Sequence, residues 1–429
     1  MKNHKITSSL ILLCFIMSVL LTSCEANVKN SPVISPSGSL PETESATSTP
    51  TPVQSETATG TPTETEMPDA SDLTEKVYIN YDRHYAPLLC DRDYGTKYSL
   101  SKGSQVTISA AEEIYAIYVI WDNIPGEWTL YSNGETVTGG QNGFIHEYIA
   151  LPEVSDKAVI TIKADKAVIC DIYTFSYGTL PDWVQTWQTP WEDADMLLLS
   201  THADDEHLYF GGMMPYYAGE LGLKVQVAYL VNHWTEQPRP HELLNGLWTV
   251  GIIAYPIIGP FADIYSDSLA HAKTVYREDA VIEYQVELLR RFKPEVVISH
   301  DLNGEYGHGG HMLNAYCLTL AVGYAADAAL YPVSAAEFGT WDTPKLYLHL
   351  YAQNEIIMNW DIPLERFDQS TAFEMAKEGY SCHLSQQHWS FAVRQGESQY
   401  DCRRFGLYRS LVGPDILKND VFENIVLSE

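Results

Sequence analysis

The stretch DMLLLSTHADDEHLYFGG, residues 195–212, joins an apolar run to a dense cluster of charged and polar side chains. Residues 196–199 are apolar without alternation, which is typical of a strand that is buried on both faces of a sheet. The acids and histidines that follow would then lie at the carboxyl end of that strand, where open α/β sheets bind their ligands. The stretch therefore predicts both an α/β sheet and a site at its edge.

The same alternation of apolar strands and helical patterns continues along the chain. Further apolar runs are KVQVAYLV (residues 224–231), EVVISH (295–300) and PKLYLHLY (344–351), and the last of these closes the series. Between them lie helical patterns, of which YREDAVIEYQVELLRRF (276–292) is the clearest. Strands that alternate with helices in this way form a mostly parallel sheet covered by helices. We therefore predict a Rossmann-like α/β domain over residues 188–429.

Residues 74–182 have a different pattern, with a period of two. Runs rich in β-branched and aromatic residues are separated by turn residues, and Ser132-Asn133-Gly134-Glu135 has the composition of a tight hairpin turn. This pattern predicts an all-β sandwich. The segment LCDRDYGTKYSL (89–100), followed by IYAIYVIWD (114–122), resembles the discoidin-like, galactose-binding sandwiches that are attached to carbohydrate enzymes. A purely structural domain that packs on its neighbour is the alternative.

The first residues have the organisation of an export signal. MKNHK is positively charged, the apolar run of residues 6–21 follows, and the run ends in Leu21-Thr22-Ser23-Cys24. A transmembrane helix is the alternative, but the run is short and leads into polar sequence. LTSC resembles the lipobox of bacterial lipoproteins. The resemblance implies that residues 1–23 are removed, that Cys24 carries a lipid, and that the protein is anchored outside the cell membrane.

Residues 24–73 are rich in Ser, Thr, Pro and acidic residues. Such a segment has too little apolar surface to offset its chain entropy, so we expect a disordered linker. The whole chain has 26 Lys and Arg against 56 Asp and Glu, a formal net charge of −30. This charge excludes nucleic acid as a partner, because nucleic-acid binding requires clusters of basic residues.

The chain contains seven cysteines, two of which lie in the leader region. An exported protein can form disulfides. Cys90 and Cys170 fall in one predicted domain, and Cys382 and Cys402 in the other, so these are the natural pairs. Sequence alone leaves the pairing open.

Two clusters of potential metal ligands follow two of the predicted strands. The first contains His202, Asp204 and Asp205, and the second contains His308 and His311, three residues apart at the start of a helix. Imidazole and carboxylate groups are good ligands for Zn²⁺. Acids that complement a helix dipole are the alternative for the first cluster alone. Together the clusters supply three or four ligands and leave room for water, which is typical of a catalytic metal site.

Four motifs in this order resemble those of one enzyme family. HADDEHLYFGG (202–212) is similar to the HPDDE-x-x-x-GG motif of the PIG-L/LmbE family of zinc-dependent N-acetylglucosaminyl deacetylases, and GEYGHGGH (304–311) is similar to its second histidine motif. RPHE (239–242) matches R-x-x-E, and HLSQ (383–386) matches H-x-S-Q. The resemblance covers about residues 190–425 and implies the family's α/β fold.

The resemblance also implies a role for individual residues and one Zn²⁺ per chain. It implies that His202, Asp205 and His311 are the zinc ligands and that Asp204 is the general base. His308 would stabilise the oxyanion or protonate the amine. Arg239 and Tyr306 would contact the substrate. Two positions depart from the family pattern. Ala203 replaces a proline, and Gly309-Gly310 replaces Pro-Asp, so an acid that would orient His308 is missing.

These observations lead to a principal hypothesis and two alternatives. The principal hypothesis is a surface-anchored hydrolase that removes the N-acetyl group from an N-acetylglucosamine-type sugar or glycan. The first alternative is a glycan-binding surface lipoprotein with an inactive hydrolase domain. The second is a substrate-capture lipoprotein of an importer, a class that has no need for the two histidine motifs.

Overall fold

The computed structural model describes residues 67–427. The predicted leader of residues 1–23, the lipid attachment site Cys24 and most of the predicted linker lie outside the described residues. Among residues 67–427, no helix combines the length and the apolar character that crossing a membrane requires.

The first domain is an antiparallel β-sandwich. Its strands are β1 (Tyr78–Tyr81), β2 (His84–Tyr85), β3 (Tyr98–Ser101), β4 (Gln105–Trp121), β5 (Trp128–Ser132), β6 (Glu135–Gly139), β7 (His146–Ile162) and β8 (Lys166–Phe175). The long strands β4 and β7 pair along both of their halves, with an irregularity between Ser109 and Ala116. The first half of β4 also pairs with β1, and its second half pairs with β8. The predicted all-β architecture is confirmed.

Strands β5 and β6 form the predicted hairpin. Ser132 pairs with Glu135, and the two central residues, Asn133 and Gly134, have φ values of 47° and 100°. Two residues with positive φ match the right-handed twist of the flanking strands, which is why Asn-Gly is favoured here.

The sandwich begins earlier than the sequence suggests. The backbone N–H of Ala70 donates to the carbonyl of Thr179, and the N–H of Leu73 donates to the carbonyl of Thr174, both at 2.8 Å. The Leu73 side chain is fully buried. The last residues of the predicted linker are therefore part of the sandwich, although their composition is polar.

The predicted disulfides are wrong. Cys90, Cys170, Cys382 and Cys402 are all free thiols. Cys382 lies 3.6 Å from the hydroxyl of Thr249, so it packs against another segment of its own domain. Separation in the sequence and a shared domain do not bring two thiols together.

The second domain is an α/β unit. Its strands are β9 (Met196–Ser200), β10 (Val225–Tyr229), β11 (Val231–Asn232), β12 (Phe261–Ala262), β13 (Val296–Ser299), β14 (Lys345–His349), β15 (Glu355–Ile357) and β16 (Arg404–Ser410). Its helices are α1 (Asp205–Leu208), α2 (Arg239–Thr249), α3 (Leu269–Tyr276), α4 (Glu278–Phe292), α5 (Gly309–Tyr324), α6 (Pro332–Phe338) and α7 (Ala372–Ser381), with a π-helical segment at Met214–Glu220.

The main sheet has the strand order β10-β9-β13-β14-β16-β15. Strands β10, β9, β13 and β14 are parallel, which confirms the predicted Rossmann-like, mostly parallel sheet. The expectation that the strand over residues 344–351 ends the series is wrong, because β16 and β15 continue the sheet in antiparallel orientation.

The apolar run of β9 faces two hydrophobic cores. Met196 and Leu198 belong to one core, and Leu197 and Leu199 belong to the core on the other face of the sheet. Every position of the strand is therefore buried, which explains why its sequence does not alternate. The charged residues begin where both cores end.

Candidate active site

The site lies at the carboxyl ends of β9 and β13. After β9 the chain turns sharply, and the backbone N–H of Thr201 donates to Nε2 of His300, which follows β13 (2.9 Å). The N–H of His202 donates to Oδ2 of Asp205 at 2.9 Å. The first bond joins the segments that follow β9 and β13, and the second shapes the turn of the first cluster, as expected for a site at the ends of neighbouring parallel strands.

Three of the predicted ligand atoms converge on one point. Oδ2 of Asp205 lies 2.9 Å from Nδ1 of His202 and 3.1 Å from Nε2 of His311, and the two nitrogens are 3.1 Å apart. Donor atoms around a tetrahedral Zn²⁺ are separated by about 3.3 Å. The three side chains therefore fit a zinc-like ion without rearrangement of the backbone.

The electrostatics of these three residues favour a cation. Burial opposes the charged forms of His202 and His311, but the Asp205 carboxylate outweighs it and raises their pKa values to about 10 and about 9. Burial would also raise the pKa of Asp205, yet His311 and His202 hold it well below its usual range. The carboxylate thus attracts positive charge to the point between the donors, and a divalent ion supplies such charge.

A buried carboxylate fixes the orientation of His311. Oε2 of Glu305 lies 2.7 Å from Nδ1 of His311 and 3.0 Å from Nδ1 of His300, and Oε1 lies 2.7 Å from Nδ1 of His349. Because Nδ1 of His311 donates to Glu305, its Nε2 keeps a lone pair for a metal. Such a supporting carboxylate is typical of histidine metal ligands.

Asp204, the predicted general base, occupies a strained turn. Its φ is 121°, a region that a residue other than glycine rarely adopts. Two bonds hold it there: its N–H donates to Oε2 of Glu206 (2.9 Å), and Nη2 of Arg239 donates to the carbonyl of Ala203 (2.6 Å). Burial, followed by repulsion from Asp205, raises the pKa of Asp204 to about 7. A carboxyl group with this pKa is suited to proton transfer near neutral pH.

His308 lies above the ligands and has a defined tautomer. Its ring centroid is 4.8 Å from that of His202 and 4.6 Å from that of His311. Nδ1 accepts the backbone N–H of Gly310 at 3.2 Å, so the neutral ring carries its proton on Nε2. Burial, and then the nearby His202, lowers the pKa of His308 to about 3. His308 is therefore a neutral hydrogen-bond donor.

The glycine that replaces the family's acid is part of this arrangement. A Cβ at residue 310 would lie 3.0 Å from Cε1 of His308 and 3.1 Å from Nδ1, so the ring would have to shift by a few tenths of an ångström to admit a side chain there. In this chain a backbone N–H, rather than a carboxylate, orients His308.

A cavity of about 490 Å³ opens above these groups. Its lining includes six of the seven predicted site residues, and the seventh, His311, lies buried beneath it. Tyr306 lines one side and is 41% exposed, and Arg239 lines another with Nη2 3.7 Å from Oδ1 of Asp204. Aromatic side chains such as Tyr265 and Trp389 complete a wall suited to the apolar face of a ring.

Two functional carboxylates escaped the sequence analysis in part or in full. Glu305 was visible inside the second histidine motif, but nothing in the sequence indicates that it contacts three imidazoles. Asp263 lies 3.4 Å from Nε2 of His202 and 3.9 Å from Nη1 of Arg239. It follows the two-residue strand β12 without a motif, so it had no sequence signal.

Comparison with known proteins finds relatives among sugar deacetylases. No family model matches the chain. A 1D-myo-inositol 2-acetamido-2-deoxy-alpha-D-glucopyranoside deacetylase of Rhodococcus erythropolis is 30% identical over 223 residues, which cover 42% of this chain and 74% of that protein.

Two solved structures are similar to parts of this chain at low TM-scores. An N,N'-diacetylchitobiose deacetylase from Pyrococcus horikoshii is 16% identical and has a TM-score of 0.34, over 46% of this chain and 73% of that one. A family 32 carbohydrate-binding module from Streptococcus pneumoniae is 10% identical and has a TM-score of 0.20, over 24% of this chain and 98% of that one. At these TM-scores neither structure supports a conclusion about this chain.

Proposed function

The chain belongs to the PIG-L/LmbE family of deacetylases, and we propose that it is a metal-dependent hydrolase that removes the N-acetyl group from an N-acetylglucosamine-type sugar or glycan. One observation carries the proposal: the donor atoms of His202, Asp205 and His311 converge within 3.1 Å of one another, in a cavity that also contains Asp204 and His308. A relative acts, by its name, on a 2-acetamido-2-deoxy-glucopyranoside.

The mechanism assigns one task to each side chain. His202, Asp205 and His311 would hold one Zn²⁺, which when bound supplies Lewis acidity toward the acetyl carbonyl and lowers the pKa of water. Asp204 accepts the proton of the water whose oxygen attacks the acetyl carbon. Nε2–H of His308 donates a hydrogen bond to the oxygen that becomes negative. The carbon–nitrogen bond then breaks, the nitrogen takes up the proton, and acetate and a free amino sugar leave.

Arg239 and Tyr306 complete the proposal as substrate contacts. Both line the cavity, and the guanidinium of Arg239 lies between the carboxylates of Asp204 and Asp263. Its bond to the carbonyl of Ala203 gives Arg239 a second task, which is to hold the strained turn of the general base.

We also propose that the protein acts outside the cell membrane, attached by a lipid on Cys24. The charged start, the apolar run and the LTSC sequence support this proposal. A Cys24→Ser variant should no longer incorporate a labelled fatty acid and should appear in the culture medium. Equal lipid labelling of the variant and the wild type would contradict it.

The enzymatic proposal is tested by acetate release and metal content together. The full chain should release acetate from N-acetylglucosamine oligosaccharides and contain bound metal. His202→Ala should lose acetate release and the ion that His202, Asp205 and His311 would hold. Asp204→Asn should keep the metal and lose release by a factor of about 10² to 10⁴, the usual contribution of a general base.

The outcomes separate the hypotheses. Full activity of Asp204→Asn would exclude Asp204 as the base. The glycan-binding alternative would be favoured by two results together: the wild type binds glycan but releases no acetate, and His202→Ala still binds the glycan.

A further inference from the structure

A second cluster of ligand-type side chains lies beside the active site and has no role in the proposed reaction. It consists of Glu206 and His207, at the start of α1, and His383, which follows α7. All three side chains are fully buried. None of them is among the three side chains that converge at the first site.

Five of the six side-chain polar atoms of this cluster lack hydrogen-bond partners. Within residues 67–427, Oε1 of Glu206 and both ring nitrogens of His207 and of His383 have none. A buried polar group without a partner lowers the stability of a fold, and a charged one lowers it further. Five such atoms in one place indicate that the cluster binds something.

The spacing of the donors indicates what it binds. Oε1 of Glu206 lies 3.5 Å from Nε2 of His207 and 3.8 Å from Nε2 of His383. These distances are too long for good hydrogen bonds. They are close to the separation of about 3.3 Å between donors around a tetrahedral Zn²⁺. One donor atom from each residue lies within 4.8 Å of the others.

Two glycines provide the space for the imidazoles. A Cβ at Gly246, on α2, would lie 2.7 Å from Nε2 of His207 and 3.0 Å from Nε2 of His383. A Cβ at Gly379, on α7, would lie 2.4 Å from Cε1 of His207. Since real Cβ atoms do not approach so closely, the pair of helices can enclose these rings only with glycine at both positions.

We propose that Glu206, His207 and His383 bind a second, structural metal ion of the Zn²⁺ type. Two imidazoles and one carboxylate are a suitable donor set for this ion. Because the side chains are buried, the ion has no access to substrate. It links the turn after β9 to the segment after α7.

This link reaches the active site through Glu206. The other oxygen of the same carboxylate, Oε2, accepts the N–H of Asp204 and so holds the strained turn. Ser385, two residues beyond His383, donates through its backbone N–H and its hydroxyl to Glu242 on α2. The second ion would therefore fix three segments that surround the first site.

The test is the number of ions per chain in the purified full-length protein, saturated with zinc and freed of excess, measured by plasma mass spectrometry. We expect two ions in the wild type, one in His202→Ala, one in His207→Gln and none in the double variant. His383→Gln should match His207→Gln, and near-ultraviolet circular dichroism shows whether each variant is folded.

Each outcome decides between the two sites. One ion in the wild type and none in His202→Ala would overturn the second site and leave the proposed enzyme intact. Two ions in folded His207→Gln would also overturn it. One ion in the wild type that persists in His202→Ala and is lost in His207→Gln would support the second site and contradict the first. If His207→Gln does not fold, the wild type and His202→Ala still decide the question.

Discussion

Replacing Glu305 by glutamine should weaken metal binding although Glu305 is not itself a ligand. The carboxylate is fully buried and accepts from three imidazoles, among them the ligand His311 at 2.7 Å. Glutamine has the same shape but only one acceptor oxygen. Whichever way the amide is oriented, an NH₂ group replaces one carboxylate oxygen. If it faces His311, then Nδ1 of His311 has no acceptor, and the favoured tautomer places the proton on Nε2.

The expected magnitude follows from this loss of support. Removing the partner that orients a metal-bound histidine reduces metal affinity by about 10- to 100-fold. At about 1.4 kcal/mol for each factor of ten, this is about 1.4–2.8 kcal/mol. The same substitution removes the charge that His300 and His349 also contact, so the free energy of unfolding should fall as well.

The assay is a zinc titration in competition with a chromophoric chelator, evaluated for the ion that His202→Ala removes. Glu295→Gln is a matched control, because Glu295 immediately precedes β13, at the opposite end of the same strand. Its Kd for zinc should equal that of the wild type. A Kd of folded Glu305→Gln within a factor of three of the wild type would refute the proposed role of the carboxylate.

Three further predictions concern the rest of the site and the domain interface. His308→Ala should lower kcat by about 10²–10³, the effect of losing one oxyanion donor, with unchanged metal content; unchanged kcat in a steady-state acetate assay would contradict this role. Arg239→Gln should lower the free energy of unfolding by about 1–3 kcal/mol, because the variant loses the charged hydrogen bond to the Ala203 carbonyl. Urea denaturation measures this change, and an unchanged urea midpoint would contradict the prediction. Burial lowers the pKa of His241 to about 4. Burial, and then the neighbouring His241, lowers the pKa of His146 well below 6.5. Below pH 6.5 the unfolded chain therefore binds protons at these two histidines that the folded chain does not bind. The free energy of unfolding should therefore decrease by about 1.4 kcal/mol for each histidine and each unit by which the pH is lowered from 6.5 to about 4. If a His146→Gln variant showed the same dependence of unfolding free energy on pH as the wild type, this prediction would be contradicted.

The parallel part of the sheet could be predicted because its strands are buried at every position and mostly apolar. β9 packs against a hydrophobic core on each face of the sheet. Its sequence is therefore a continuous apolar run, whereas an amphipathic strand or helix shows apolar residues only at periodic positions. β16 could not be predicted in the same way. Its residues are unevenly buried, so they show no continuous apolar run. It pairs with β14, more than fifty residues earlier in the chain, so the sequence next to β16 gives no indication of this partner.

The candidate site shows the same division between local and distant information. The seven predicted residues lie in short motifs, and the structure brings all of them to one cavity or its floor. Asp263 and His349 reach the site from other segments and contact it through one side chain each. Such contacts leave no pattern in the sequence, because they depend on how separate loops meet at the edge of the sheet.

The position of the sandwich gives it a structural task in the enzyme whether or not it binds a sugar. Nε2 of His146, at the start of β7, lies 2.9 Å from Nδ1 of His241, and both side chains are buried. The hydroxyl of Tyr255 accepts the N–H of Ile145, one residue earlier. His241 lies on α2, two residues after Arg239, which holds the turn of the general base. The sandwich thus packs on the helix that positions Arg239, and a change at this interface would be transmitted to the site through that helix.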